Sequence, residues 1–372
     1  VSETDGSRAP EDTAAEGRDD ALPEAREGGL QRHLGKLVAS LLFGGGLAWV
    51  IARGGLPLVP PREAFSEVSA SAIALFCLCL VGAHLLRALR WRYLLEPIGP
   101  VPLRSIVAVA WIGFAVILAA PLRSGEIVRP LLITRRGPVG LWEATGTIAA
   151  ERVVDALVLS LFLVLGLTFV TPQDPLPDHV GELAVPVAAV PSAAALAVVV
   201  FTSAFVVMAL FYWRRDFARR LVASTVGLVS KRLADTLASV VEKLAQGLRF
   251  LPNRRLFVPF VAETMGYWAL LSLATFVLMR GVGLPHVTVP EGAVVMGVTG
   301  LGILAPAGPG FFGAFQLSAY MALALFHDER ALVGAGAAFV FLYYVVQVGF
   351  HLLAAVAGLA LDHKASVLAA SR

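Results

Sequence analysis

The longest uncharged runs of this chain match the thickness of a lipid bilayer, and no other feature of the sequence restricts its fold so strongly. Residues 187–213 contain no Asp, Glu, Lys or Arg, and residues 68–86 and 331–361 are equally free of them. A hydrocarbon core of about 30 Å is crossed by about 20 apolar residues in a helix. Inside it every backbone N–H and C=O must find a partner within the protein, which a helix provides. Charged residues make up only 15% of the chain and hydrophobic ones 57%, whereas soluble domains carry about 25% charge. An ordinary soluble enzyme is excluded, and the expected fold class is an all-α polytopic membrane protein.

Apolar segments occur at 37–52, 68–86, 105–120, 153–170, 187–213, 256–279, 292–305, 311–326 and 331–361. The runs starting at 37, 68, 153, 187, 256 and 331 are expected to cross alone, giving about six full transmembrane helices. The others are short and interrupted by Pro and Gly. Residues 1–36 hold nine acids against five Lys/Arg and show no apolar periodicity. Such a segment buries too little surface to offset the entropy of ordering. It is read as a disordered cytoplasmic tail preceding a transmembrane domain at 37–372.

Positive charge in the short loops sets the orientation. Arg87, Arg90, Arg92 and Arg104 follow the second run, and ten Lys/Arg fall within 214–255. Residues 171–183 have none and carry Asp174, Asp178 and Glu182. Placing the basic loops inside puts both termini in the cytoplasm, for a multi-pass protein of the cell's inner membrane. The mixed charge of 214–255 suits an amphipathic connector lying on the cytoplasmic surface.

Two segments resemble each other. Residues 117–126 read ILAAPLRSGE and residues 303–311 read ILAPAGPGF, each an apolar run closing in Pro-x-x-x-Gly, offset by 306 − 121 = 185 positions. Each is preceded by a span and followed by a long helical stretch, 141–171 and 331–361. Under the charge-based orientation the two units, about 68–171 and 256–361, enter from opposite faces. This is an inverted-topology repeat with two re-entrant helical hairpins, an arrangement that places a substrate site near the bilayer midplane.

The first unit carries Arg123, Glu126 and Arg129, and the helix after it carries Glu151, Arg152 and Asp155. Ionised groups inside spans are costly, so they pair with one another or line a pathway. One reading is a structural network joining Arg123 or Arg129 to Glu151 or Asp155. The other is anion recognition, since a guanidinium fork matches phosphate oxygens. The second unit is nearly uncharged. Pro306, Gly308 and Gly310 leave backbone amides open to an oxyanion, while Phe311, Phe312 and Phe315 can pack acyl or isoprenoid chains. Glu263, Tyr343, Tyr344, Gln347 and His351 are candidates for the opposite wall, with a helix–helix hydrogen bond the plainer reading of His351.

Catalytic and metal signatures are absent. Cys77 and Cys79 point to different faces of one helix, and H-E-x-x-H, G-x-S-x-G and G-x-x-x-x-G-K-[ST] do not occur. No enzymatic activity, cofactor, metal or nucleic-acid partner is expected.

The stretches RALRWRYLL at 87–95, PLRSGEIVRP at 121–130, ERVVD at 151–155 and PAGPG at 306–310 resemble the lysylphosphatidylglycerol synthase transmembrane-domain family, also called flippase-like membrane proteins. The resemblance covers roughly residues 35–361. It implies movement of lipids or lipid-linked intermediates across bilayers, in phospholipid, hopanoid and glycolipid pathways. With the sequence ending at Arg372, the soluble aminoacyl-transferase domain of the bifunctional synthases is not expected here. The resemblance therefore does not extend to lysyl-lipid synthesis or to that lipid as substrate. The expected function is a translocator of lipids with an anionic or phosphate-bearing headgroup, with phospholipid, polyprenyl-linked or hopanoid-type lipids as partners. Two other classes stay open. One is a scaffold subunit for a lipid-synthesising enzyme or glycosyltransferase, and the other is a small-solute transporter coupled to protons through Glu126, Glu151 or Asp155. Cysteines at Ser124 and Ala307 test the hairpins. Each should react with impermeant thiol reagents as a turn within the membrane does, and labelling of Ser124→Cys from outside alone, like an exposed loop, excludes them.

Overall fold

The computed structural model describes residues 24–120, 125–214, 245–305 and 307–370. It is built from helices: α1 (Glu24–Arg53), α2 (Ala70–Leu89), α3 (Trp91–Leu95), α4 (Leu103–Ala119), α5 (Val128–Ile133) and α6 (Leu141–Thr168), then α7 (Val190–Trp213), α8 (Arg254–Gly281), α9 (Val289–Gly302), α10 (Ala314–Leu323) and α11 (Ala337–Ala370). A small antiparallel hairpin of β1 (His179–Val180) and β2 (Leu183–Ala184) lies between α6 and α7. The helices start where the sequence supplies caps. Ser69 accepts from the Ala72 amide, Asn253 from Arg255, and Thr288 from Glu291, each satisfying a donor that the first turn leaves free.

Among the described residues, four helices are long and apolar enough to cross a membrane: Ala70–Leu95, Val187–Leu210, Arg254–Gly281 and Glu329–His363. These correspond to the expected runs starting at 68, 187, 256 and 331. The run at 37 belongs to a shorter apolar stretch, Val38–Arg53. The run at 153 is part of α6, whose Glu151, Arg152 and Asp155 interrupt its apolar length. Helix α1 begins at Glu24, so residues 24–36 are helical where a disordered tail was expected. Pro121, Arg123, Ser124 and Pro306 lie outside the described residues, as do 215–244 of the basic connector.

α4 has 17 residues and α9 has 14. At 1.5 Å per residue these are about 25 and 21 Å long, short of the full hydrocarbon thickness of about 30 Å. The packing follows a reciprocal pattern. α2 lies along α8, α4 lies along α11, and α9 lies along α6; α5 folds back on α4, and α10 on α9. α7 packs on α6 at the periphery and turns Leu196, Val199, Val200, Val206, Val207 and Leu210 outward. Side chains of this kind are solvated by lipid, where in water they would form an aggregating patch.

α1 is held against the loop before α10 by backbone proximity. The Ser40 hydroxyl donates to the Ala307 carbonyl at 3.1 Å, and a Cβ on Gly44 would fall 2.6 Å from the Gly308 Cα. Nothing lies within 4 Å of a Cβ on Gly45. The two neighbouring glycines should thus respond with opposite sign to the same change. Gly44→Ala should lower stability by about 1–3 kcal/mol through overpacking, whereas Gly45→Ala should be neutral or stabilising by up to about 1 kcal/mol through helix propensity. Thermal unfolding of the two purified variants in detergent measures both.

Candidate functional site

The end of α2 runs almost without a break into α3, because Arg90 between them keeps helical dihedrals. That continuity carries Arg90 inward, and its side chain is fully buried. One guanidinium nitrogen donates to Thr264 Oγ1 at 2.7 Å and the other to Asp155 Oδ2 at 2.8 Å. Asp155 also accepts from the Tyr267 hydroxyl at 2.6 Å. The face of the Arg90 guanidinium lies 4.7 Å from the Tyr267 ring centre, a cation–π contact that strengthens when desolvated.

A second pair stands beside the first. Arg129 on α5 reaches both oxygens of Glu151 on α6, at 2.8 and 3.1 Å, and both side chains are fully buried. Its guanidinium stacks 4.3 Å from Trp91, and the Trp91 indole N–H donates to Thr147 at 3.0 Å. The stem of Arg129 crosses α4 at Gly113, where a Cβ would come within 2.1 Å of Arg129 Cγ. Arg152 completes the group, 3.5 Å from Glu126 and 3.3 Å from Glu151. Arg90, Arg129 and Arg152 thus face Glu126, Glu151 and Asp155, three cations against three carboxylates. Charges in so apolar a setting persist only when paired and hydrogen-bonded.

This cluster backs a cavity of about 210 Å³ lined by residues of α2, α4, α6, α8, α9, α10 and α11. Arg87, one turn before Arg90, projects into it. It stacks 4.2 Å over Phe114, and its buried Nε has no hydrogen-bond partner. Among the described residues Arg87 forms no ion pair, so it adds one positive charge to a wall that is otherwise balanced. Across the cavity, Gly310 and Phe311 take left-handed dihedrals, φ +72° and +59°. For a bulky residue such as Phe311 that conformation is rare and marks stored strain.

Of the residues singled out from sequence, Glu126, Arg152, Asp155 and Gly310 line the cavity. Arg129 and Glu151 sit behind its wall with their polar groups committed to each other, so the structure supports the network reading for them in place of direct contact. Gly308 packs on Gly44, and Arg123 and Pro306 are outside the described residues. Tyr343, Tyr344, Gln347, His351, Phe311 and Phe315 line the cavity as the opposite wall. Glu263 does not. It binds Arg92 at 2.7 Å and Tyr93 at 2.8 Å away from that space.

Arg87 and Arg90 correct an expectation, since the positive-charge count assigned both to a cytoplasmic loop. The signal for their placement is the spacing of His84, Arg87 and Arg90, three residues apart along one helical face. Tyr267 and Thr264, which sequence reasoning passed over, carry no comparable signal: lone hydroxyls in apolar helices are common.

Removing Arg90 takes from Asp155 its nearest cation and leaves it Tyr267 and the more distant Arg152, so Arg90→Ala should cost up to roughly 3–5 kcal/mol. Gly113→Ala, by displacing the Arg129 stem, should also destabilise. Asp174→Ala, in the loop after α6, should stay within about 0.5 kcal/mol of wild type. Melting curves in detergent distinguish the three, and equal curves for Arg90→Ala and Asp174→Ala would show that the cluster is solvated.

A family model described as "Lysylphosphatidylglycerol synthase TM region" matches residues 37–354. No curated protein and no solved structure matches the chain.

Proposed function

The chain belongs to the lysylphosphatidylglycerol synthase TM region family, a family of multi-pass membrane domains linked to lipid metabolism, and on that footing we propose that it is a non-catalytic translocator of lipids with an anionic, phosphate-bearing headgroup. The observation that carries this reading is Arg87, a cation in the cavity with no carboxylate partner among the described residues. In a medium of low dielectric an anion is the natural complement of such a charge, and a guanidinium offers phosphate oxygens paired donors. Leu118, Ile303 and Leu304 add apolar lining to the same space, suited to the first carbons of a lipid tail.

The packing supports the inverted-repeat reading. If 68–171 and 256–361 are equivalent halves, α2 corresponds to α8, α4 to α9 and α6 to α11. The contact of α2 with α8 is then its own mirror, and the contacts of α4 with α11 and of α9 with α6 exchange with each other. Under this reading α4–α5 and α9–α10 are the two re-entrant hairpins, and the cavity is lined by residues of both, Leu118 and Glu126 from the first and Leu304 and Gly310 from the second. The basic connector at 214–255 supports an orientation with both termini in the cytoplasm, and we propose the inner membrane as the location.

The test is transfer of fluorescent phosphatidylglycerol in proteoliposomes containing the purified protein alone. Arg87→Gln should fold normally and transfer at least about tenfold more slowly, the loss of one charge-assisted hydrogen bond. Transfer at the wild-type rate removes Arg87 from the headgroup site. Failure of the wild-type protein to transfer lipid without a partner enzyme favours a scaffold role.

A further inference from the structure

The carboxylates that sequence reasoning offered as proton carriers are all engaged with arginines: Asp155 with Arg90, Glu151 with Arg129, and Glu126 with Arg152. The structure brings together two other titratable groups that are far apart in sequence. His84 on α2 and His351 on α11 both line the cavity, with ring centres 4.7 Å apart and planes nearly perpendicular. Phe350 lies 4.6 Å from the His84 ring. The His351 Nδ1–H donates to the Gln347 carbonyl at 2.7 Å, which leaves its Nε2 as the acceptor nitrogen.

Neither ring forms an ion pair with a carboxylate among the described residues. On α2 the charged neighbour of His84 is Arg87, three positions later and on the same face, and α11 adds no Asp, Glu, Lys or Arg to the cavity lining. Glu126 and the α6 residues Arg152 and Asp155 face the same space, as do the phenols of Tyr267, Tyr343 and Tyr344; α4 contributes no titratable group to it. A proton on either imidazole therefore adds charge to a wall already positive at Arg87. An anionic headgroup entering beside Arg87 supplies the counter-charge.

We propose that the His84–His351 pair is a proton site linked to anion binding in this cavity, so that one proton enters with each anionic headgroup. This rests on the headgroup reading above. The proton comes from water, an N–H bond forms at an imidazole nitrogen, and no other bond changes. When the headgroup leaves, the proton returns to water. A headgroup of charge −1 carried with one proton is electroneutral, so a pH gradient, and not the membrane potential, drives its movement. Linkage is reciprocal: acid tightens anion binding to the extent that the anion promotes protonation.

Titration calorimetry of the full-length protein in detergent with dioctanoyl phosphatidylglycerol, in buffers of different ionisation enthalpy, counts the protons. Wild type should take up a proton fraction that peaks, toward one per lipid, at a pH between the titration of the pair in the free and in the anion-bound protein, found by repeating the titration at several pH values. His84→Gln and His351→Gln should each lower that number. If one variant does not fold, the other decides, together with the wild-type affinity between about pH 5 and 8, which should strengthen toward acid. Binding without proton uptake, or an unchanged count in the folded variants, overturns the proton site and leaves the headgroup reading standing. Absence of lipid binding by wild type overturns both.

Discussion

A buried charge in an apolar medium must have a partner, and the centre of this molecule is organised around that requirement. Arg90 arrives from the junction of α2 and α3, Arg129 from α5, Glu151 and Asp155 from α6, and Thr264 and Tyr267 from α8. Each group is intolerable alone in this environment and acceptable together with the others. The cluster therefore ties the short α5 to the long helices, and it lets α6 carry three charged residues through a bundle that is otherwise apolar. It also leaves Arg87 distinct: among the described residues the other cavity-lining arginine, Arg152, is answered by carboxylates, whereas Arg87 has no ion pair.

Close backbone approach does the remaining positioning. Gly44 and Gly308 meet with no side chain between them, and Gly113 opens a channel on α4 for the Arg129 stem. Helices in lipid gain little from hydrophobic burial against one another, so small residues that bring backbones into contact contribute much of the packing. The loop that α1 braces is the one that holds Gly310 and Phe311 in left-handed dihedrals at the cavity wall. A helix at the start of the described chain thereby supports a strained turn about 265 residues later in sequence, through the Ser40–Ala307 bond (|i−j| = 267) and the glycine contact.

The helices themselves were legible because apolar length is a one-dimensional property. Runs at 68, 187, 256 and 331 became four helices of spanning length, and the Pro- and Gly-broken runs became the short α4, α9 and α10. α6 was harder to classify, since its charges look forbidding until their partners on α5 and at Arg90 are known. The same difficulty explains the misplacement of Arg87 and Arg90. Counting loop charge treats every arginine near a span end as solvated, whereas a helix that continues through Arg90 turns it inward. His351 likewise read as a lone histidine, because its neighbour His84 sits on a helix more than 250 residues earlier, which only packing brings within 4.7 Å.

By itself the sequence determined what is local and periodic: a membrane-spanning helical chain, its breaks, the family resemblance, and the set of intramembrane charges that had to be resolved somehow. Only the tertiary structure decided which arginine answers which carboxylate, which cation remains for the cavity, and which two histidines share it. Pairing energy falls off within a few ångströms, so it depends on through-space distance between helices, and hydropathy along the chain carries no information about that distance.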